Sequence, residues 1–407
     1  MHYNYYRLVS GIIVLMLMLT GCGNWQPTGV DNTLTSQSSA SLNGNNTFPS
    51  SQKNMSSTSS LGALSNLTSI HMVNAMTGWA LSKDSLLRTV NGGVSWTNVT
   101  PKGVGSMREG ALSVYDAQTL WVVFNKESST SITVYRSTDG GQKWERAEIN
   151  TTPWYGRVTS LDFIDLKHGW LLASYDVSMG SESVEVFQSN DGGASWKSNA
   201  SAIINEKTSN DLPLAGSKNG LVFSNQENGW LTGFSHGDGI WLYSSSDGGL
   251  TWAQKAIVAP QDYFTAGGSV STESPHFFNQ KEGVLPVEFR GEKPPAFVFY
   301  KTKDGGLSWT PTTPVQIAQK SQEYRGFHWS IIDATHAFVS DGYKLYFTSD
   351  GSHSFVCITP NISLEKLQQL DFTSEKLGWA IIDGGLWKTI DGGHTWVQIK
   401  VSIRANH

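Results

Sequence analysis

Short apolar stretches with period-two alternation recur along this chain, each bounded by Gly and Asn or Asp. They read Ile70/Met72, Leu112/Val114, Leu161/Phe163, Leu221/Phe223, Phe277, Trp329/Ile331 and Leu370/Phe372. Alternation of this kind predicts half-buried strands. Seven residues past the last apolar position of each stretch lies a second strand, often Gly-Trp. Its key position holds Trp79, Trp121, Trp170, Trp230, Val284, Phe338 and Trp379. A third strand then runs into a short phrase built around Asp-Gly-Gly-x-Ser/Thr-Trp, whose aromatic opens a fourth. The final unit shows all four strands, over Leu370–Thr373, Gly378–Ile382, Leu386–Thr389 and Thr395–Val401.

The phrase occurs seven times. Its heads are Asn91, Asp139, Asp191, Asp247, Asp304, Asp350 and Asp391, and its aromatics Trp96, Trp144, Trp196, Trp252, Trp309, Phe355 and Trp396. Successive heads are 48, 52, 56, 57, 46 and 41 residues apart. A turn motif at such a period marks stacked repeats. A carboxylate or amide at the head accepts bonds from backbone N–H groups just downstream, and the glycines supply positive φ. Each turn offers one carboxylate where a hard cation wants several oxygens, so the phrase reads as a hairpin staple and not as a calcium site. Four-stranded units repeated around an axis predict an all-β, seven-bladed β-propeller of antiparallel blades. The blades fall at about 66–100, 107–149, 157–198, 217–255, 271–311, 325–358 and 366–401, with a tail over 402–407.

Two spacings are constant and two are not. First strand to second-strand aromatic is always seven residues, and head to aromatic within the phrase is always five. By contrast, second-strand aromatic to phrase head varies from 12 to 21 residues, and phrase aromatic to the next first strand from 17 to 27. One face of the ring is therefore built from short fixed turns, while the opposite face carries the insertions. Variable loops on a rigid scaffold are where binding resides.

The N-terminus changes the picture of compartment. Arg7 precedes an apolar run from Leu8 to Leu19, followed by Leu19-Thr20-Gly21-Cys22. The run is too short for a permanent span and has the small-residue context of a secretory signal, so 1–21 is expected to be removed. The ending matches a bacterial lipobox, which makes Cys22 the expected lipidation site (a diacylglyceryl or palmitate-type anchor) on an extracytoplasmic protein held at a membrane. Residues 22–65 form a Ser/Thr/Asn-rich tether too polar to fold alone. Cys357 is the other cysteine; it is expected to be a small buried residue, with no disulfide once Cys22 is acylated. The full chain carries 29 basic and 34 acidic residues. Such a surface argues against a nucleic-acid partner.

Candidate chemistry lies on the variable face. Six residues before the last apolar position of each first strand stand Asn66, Arg108, Arg157, Ser217, Ser271, Arg325 and Lys366. If these strands surround a central channel, Arg108, Arg157, Arg325 and Lys366 converge at its mouth as an anion site, with Tyr155 and Tyr324 close by in sequence. Arg forks suit carboxylate or phosphate. Loop carboxylates Asp176, Glu182, Asp238, Asp262 and Glu273 leave glycoside hydrolysis open. His236, His276 and His328 have no metal-ligand spacing, and no phosphate loop, nucleophile elbow or dinucleotide fingerprint is present. No metal or cofactor is expected.

The repeated phrase is similar to the Asp-box, or BNR repeat, of sialidases, sortilin-type receptors and photosystem II stability/assembly factor-like lipoproteins. Three arginines on different blades resemble a sialidase triad, but no Arg-Ile-Pro motif occurs. The lipobox, polar tether, seven units and boxes in most of them resemble the assembly-factor group over nearly the whole mature chain. That resemblance implies a non-catalytic scaffold that grips a protein partner, with Arg108, Arg157 and Arg325 as the residues carried over. The chain departs from the group in its low arginine content and its degenerate sixth box. The expectation is thus a non-enzymatic binding scaffold, with a glycan-binding or glycoside-hydrolysing protein as the alternative.

Overall fold

The computed structural model describes residues 66–404, except 83, 105–109, 127–129, 152–155, 179, 205–211, 237–238, 261–267, 292–293, 318–325 and 401. Two compact units divide the chain, 1–57 and 58–407, and the described residues all belong to the second. They form strands and turns without a helix.

Blade 1 contains β1 (Leu67–Met72), β2 (Gly78–Ser82), β3 (Leu86–Thr89) and β4 (Ser95–Asn98). Blade 2 contains β5 (Gly110–Val114), β6 (Leu120–Phe124), β7 (Ser131–Ser137) and β8 (Glu145–Asn150). Blade 3 contains β9 (Arg157–Phe163), β10 (Gly169–Ser178), β11 (Ser181–Ser189) and β12 (Lys197–Ala202). Blade 4 contains β13 (Ser217–Phe223), β14 (Gly229–His236), β15 (Leu242–Ser245) and β16 (Ala253–Gln254). Blade 5 is more broken, with β17 (Ser269–Thr272), β18 (His276–Phe277), β19 (Gly283–Arg290), β20 (Ala296–Thr302), β21 (Thr310–Pro311) and β22 (Val315–Gln316). Blade 6 contains β23 (His328–Ile331), β24 (Ala337–Ser340), β25 (Leu345–Thr348) and β26 (Val356–Ile358). Blade 7 contains β27 (Leu367–Phe372), β28 (Gly378–Ile382), β29 (Gly385–Thr389) and β30 (Val397–Gln398), and β31 (Ser402–Arg404) follows. Pairing within each blade is antiparallel in sequence order.

Three features depart from the sequence pattern. The tail is not free: β31 pairs in parallel with β4, Ile403 opposite Trp96, so a C-terminal strand straps blade 7 to the outer edge of blade 1. An outermost strand presents unpaired N–H and C=O groups, and that edge is what the strap satisfies. In blade 5 the first strand splits into β17 and β18, with Pro275, which has no N–H to donate, in the gap. The long β14 then pairs with β17, so blades 4 and 5 merge into one ten-stranded sheet. Finally, Cys357 is half-buried where full burial was expected. Cys22, the one other cysteine of the sequence, lies outside the described residues.

The box turns show why their sequence recurs. In blade 2, Asp139 Oδ1 accepts from the N–H of Gln142 at 3.0 Å and of Lys143 at 2.9 Å. Ser137, two residues before the head, donates to Asp139 Oδ1 and accepts from Gly141 N–H at 2.8 Å. The same buried hydroxyl recurs as Thr89, Ser189, Ser245, Thr302, Thr348 and Thr389. These bonds hold the carboxylates in their charged form: Asp304, bonded to Ser308 side chain and backbone, and Asp350, bonded to Ser354, fall to about 2. The box then docks on the first turn of its own blade, as in Gly140 N–H to Gln118 O at 2.9 Å and Gly392 N–H to Lys376 O at 2.9 Å. That first turn is capped by its own Asx residue, for example Asp116 accepting from Gln118 and Thr119. The two fixed turns therefore share one face.

Blades join through a repeated aromatic sandwich. The second-strand aromatic of one blade stacks on the first-strand aromatic of the next: Trp121 on Phe163 at 3.8 Å, Trp170 on Phe223 at 3.8 Å, and Phe338 on Phe372 at 3.7 Å between centroids. The next blade's box aromatic meets that Phe edge-on, as Trp196 meets Phe163 and Trp396 meets Phe372. Indole N–H groups complete the joint, Trp121 donating to Gly192 O at 2.7 Å and Trp170 to Gly248 O at 2.9 Å. The ring closes in the same way without a covalent link: Trp379 donates to Gly92 O at 3.1 Å and packs with Met72 in one core.

Inner strands are further bridged by side chains turned toward the lumen. Asp162 accepts from Phe223 N–H at 2.8 Å, and Asp371 of blade 7 accepts from Met72 N–H of blade 1 at 2.5 Å. Ser113 and Ser330 occupy the same position in blades 2 and 6 and accept from Phe163 and Phe372. Burial raises Asp162 to about 6 and Asp371 to about 7, against the lowering effect of those N–H donors. A carboxyl whose native pKa is raised contributes stability that is present below about pH 4 and lost as pH rises through about 7.

Two outcomes follow for the seam between blades 7 and 1. Trp379→Ala removes a fully buried indole and should cost about 3–5 kcal/mol, read as a lower denaturant midpoint. Asp371→Asn keeps an acceptor for Met72 and removes the charge. It should melt higher than wild type at pH 8 and converge with it at pH 4; the reverse order would refute the assignment of a raised pKa.

Candidate functional site

First-strand starts define the mouth of the lumen on the variable face. Arg157 opens β9 and is exposed, with no ion pair among the described residues. It lines a cavity of about 240 Å³ with Asn125, Val158, Thr159, Lys218 and Asn219, contributed by blades 2, 3 and 4. Asn125 fixes the wall between blades 2 and 3: its amide donates to Val158 O at 3.1 Å and its carbonyl accepts from Val158 N–H at 2.9 Å. Lys366 opens on an equivalent cavity of about 420 Å³ between blades 7 and 1, shared with Asn66, Thr68, Gln368 and Asp383. There Lys366 Nζ is paired with Asp383 Oδ2 at 2.9 Å, so its charge is already answered.

Of the residues expected to converge as an anion site, Arg157 and Lys366 thus line separate cavities. Arg108, Tyr155, Tyr324 and Arg325 lie outside the described residues, as does Cys22. Ser217 and Ser271, which hold the same register position in blades 4 and 5, carry no charge. Ser271 instead joins Asn219 to Glu273, accepting from the amide at 3.2 Å and donating to the carboxylate at 2.9 Å.

Lys218 is a cation that sequence inspection passed over. It lies one residue after the arginine register position, and its ammonium donates to the carbonyls of Leu214 at 2.8 Å, Gly216 at 2.9 Å and Glu182 at 3.1 Å. Burial lowers it to about 8, although Glu182 opposes the shift. Glu182 in turn accepts from Lys218 N–H at 2.6 Å and from the Ser174 hydroxyl. The group pins the segment before β13 onto the projecting β10–β11 hairpin, a bracing arrangement with no atom left for a substrate.

The remaining titratable groups divide the same way. Tyr175 donates to Glu185 at 2.5 Å, but burial and that carboxylate push the phenol up, opposite to what a nucleophile needs. Glu273 is half-buried and raised by burial, with Glu288 adding to the shift and Arg290 opposing it. Inside the lumen His71 and His276 keep accessible surface although protein surrounds them. Burial lowers both, and His71 is lowered further by His276. Among the described residues no group of three His, Cys, Asp or Glu is arranged to hold a metal ion.

The model of the BNR repeat-like domain matches residues 166–337. No curated protein matches the chain. Among solved structures, YCF48 bound to D1 peptide matches with a TM-score of 0.53 at 14% identity, covering 81% of this chain and 92% of that one. YCF48 from Cyanidioschyzon merolae gives 0.52 at 17% identity, covering 80% and 96%. The GH74 xyloglucanase from Xanthomonas campestris gives 0.58 at 15% identity; the match covers 83% of this chain but 55% of that one, so this chain spans about half its length. Identities this low speak for the fold alone. The chain is thus a β-propeller with seven Asp-box phrases, similar over 166–337 to the BNR repeat-like domain and similar in fold to YCF48.

Proposed function

We propose that the protein is a non-enzymatic, extracytoplasmic binding and assembly scaffold, lipid-anchored at Cys22, that holds a protein partner on the variable-loop face. The observation that carries this reading is the Arg157 cavity: an exposed guanidinium with no counter-ion among the described residues, set among braced polar side chains at a junction of three blades. Such a site suits an acidic side chain or a chain-terminal carboxylate of a partner. The similar fold of a protein solved with a bound peptide supports the class without naming the client.

A glycoside-hydrolysing reading is favoured by one feature, the raised Glu273 carboxyl beside Glu288. Against it, Glu288 is ion-paired with Arg290, and Glu182, the other carboxylate of the group seen here, is fully bonded. Partner capture from the native membrane with Arg157→Ala should fall about tenfold, as for loss of a charged hydrogen bond, while the melting temperature stays unchanged. Equal capture by both proteins removes the site. Turnover of a fluorogenic glycoside that is abolished by Glu273→Gln would replace the scaffold reading with the enzymatic one.

A further inference from the structure

The face of fixed turns carries charged side chains in every blade except one, of both signs in blades 2, 3, 5 and 7, where Lys143, Lys167, Lys281 and Lys376 stand beside the acids. Blades 2 to 7 (with Asp350 in the degenerate box of blade 6) each carry a box aspartate and a second acid in the first turn: Asp116, Asp165, Glu227, Glu282, Asp333 and Glu375. Blade 1 has Asn74 and Asn91 as its two turn caps, and its turns, 73–77 and 90–95, contain no charged residue, the nearest cation being Lys388 of blade 7, which donates to Gly92 O at 3.3 Å. In the same two turns Met76, Val90 and Val94 are 54%, 56% and 60% exposed. Met76 O accepts from Gly92 N–H at 2.7 Å, so the two turns are locked together and the three side chains form one apolar rim. Leu166, Leu250, Leu307 and Ile390 are also exposed on this face, but as solitary side chains on blades that carry acids, which is ordinary for a protein surface.

We propose that this rim of blade 1 dips into a phospholipid surface and sets the propeller on the membrane edge-down, with the variable face left open. The inference rests on the lipid-anchor reading of Cys22. Blade 1 is where residues 23–65 enter the ring, so an anchor at Cys22 holds the bilayer closest to this blade. A segment of that length and composition spans roughly 35 Å, against about 20 Å for the six residues of β1, so the anchor reaches either end of the blade. Three apolar side chains bind lipid weakly alone. Tethering raises their effective concentration to about millimolar and makes weak insertion sufficient. Charged side chains of either sign on the other six blades lose hydration on entering a bilayer, which confines contact to the uncharged sector.

The test uses the full-length acylated protein in Cys357→Ser background, reconstituted in phosphatidylcholine/phosphatidylglycerol vesicles that carry a lipid-borne quencher. An environment-sensitive dye is placed at Val94→Cys or, as control, at Ala194→Cys, the same box position in blade 3 and also exposed. Quenching at position 94 should exceed that at 194 by at least about threefold, and Met76→Ser with Val90→Ser should return it toward the control. Equal quenching on protein that floats with the vesicles overturns the inference and leaves the anchor reading intact. Protein that fails to float, with unmodified Cys22 by mass spectrometry, overturns both.

Discussion

Stacking between the second-strand Trp of one blade and the first-strand aromatic of the next is the contact on which the ring depends. Each blade is a small sheet that cannot bury its own faces. A fully buried indole removes roughly 150–250 Å² from water, worth about 4–6 kcal/mol at 25 cal/mol per Å². Because a repeat touches only its neighbours, such joints repeated around the circle carry most of the stability. Where the sandwich is incomplete the core is repacked with aliphatics: Met72 takes the Phe place against Trp379, and Ile331 packs in the core of Val284. Ring closure therefore uses the Trp379–Met72 form of that joint, reinforced by Asp371 and by the β31 strap.

The joint also explains the asymmetry of the two faces. A box must place its second glycine carbonyl, or the one before it, where an indole N–H can reach, and it does so by docking on the first turn of its own blade. Any insertion in either turn would move the sandwich. The connections on the other face hold none of these bonds and are free to lengthen, which is where the longest hairpin, β10–β11, projects. Blade 6 shows which parts of the box are needed. It has Ser352 at φ 69° in place of glycine and Phe355 in place of Trp, yet Thr348 still accepts from Ser352 N–H at 2.9 Å and Asp350 still caps Ser354. Side-chain capping, more than the glycine pair, defines the turn.

Strands, boxes and blade count were legible in the sequence because they depend on local spacing, five and seven residues, repeated in register. The hydroxyl two residues before each box head was equally periodic and visible to alignment. It reads as an ordinary strand Ser or Thr until its bond to the glycine N–H is seen. Asp162 and Asp371 were not legible as bridges, since the N–H groups they cap belong to the next blade, some sixty residues away or at the opposite end of the chain. The parallel pairing of β31 is three residues long and leaves no pattern. The arginine register was readable, but convergence depends on insertion loops, and it is there that the structure separates Arg157 from Lys366.

That separation changes what the mouth of the ring can recognise. A ring of converging cations would take one multiply charged ligand on the axis. Two cavities at different blade junctions, one with an unanswered Arg157 and the other with Lys366 neutralised by Asp383, take separate and unequal contacts. Extended polypeptide crossing the mouth presents side chains at intervals of about 7 Å on one face, two residues per repeat, and can meet such spaced sites in turn. Under the proposed scaffold reading, a peptide or loop laid over the mouth would meet Arg157 as a polar anchor.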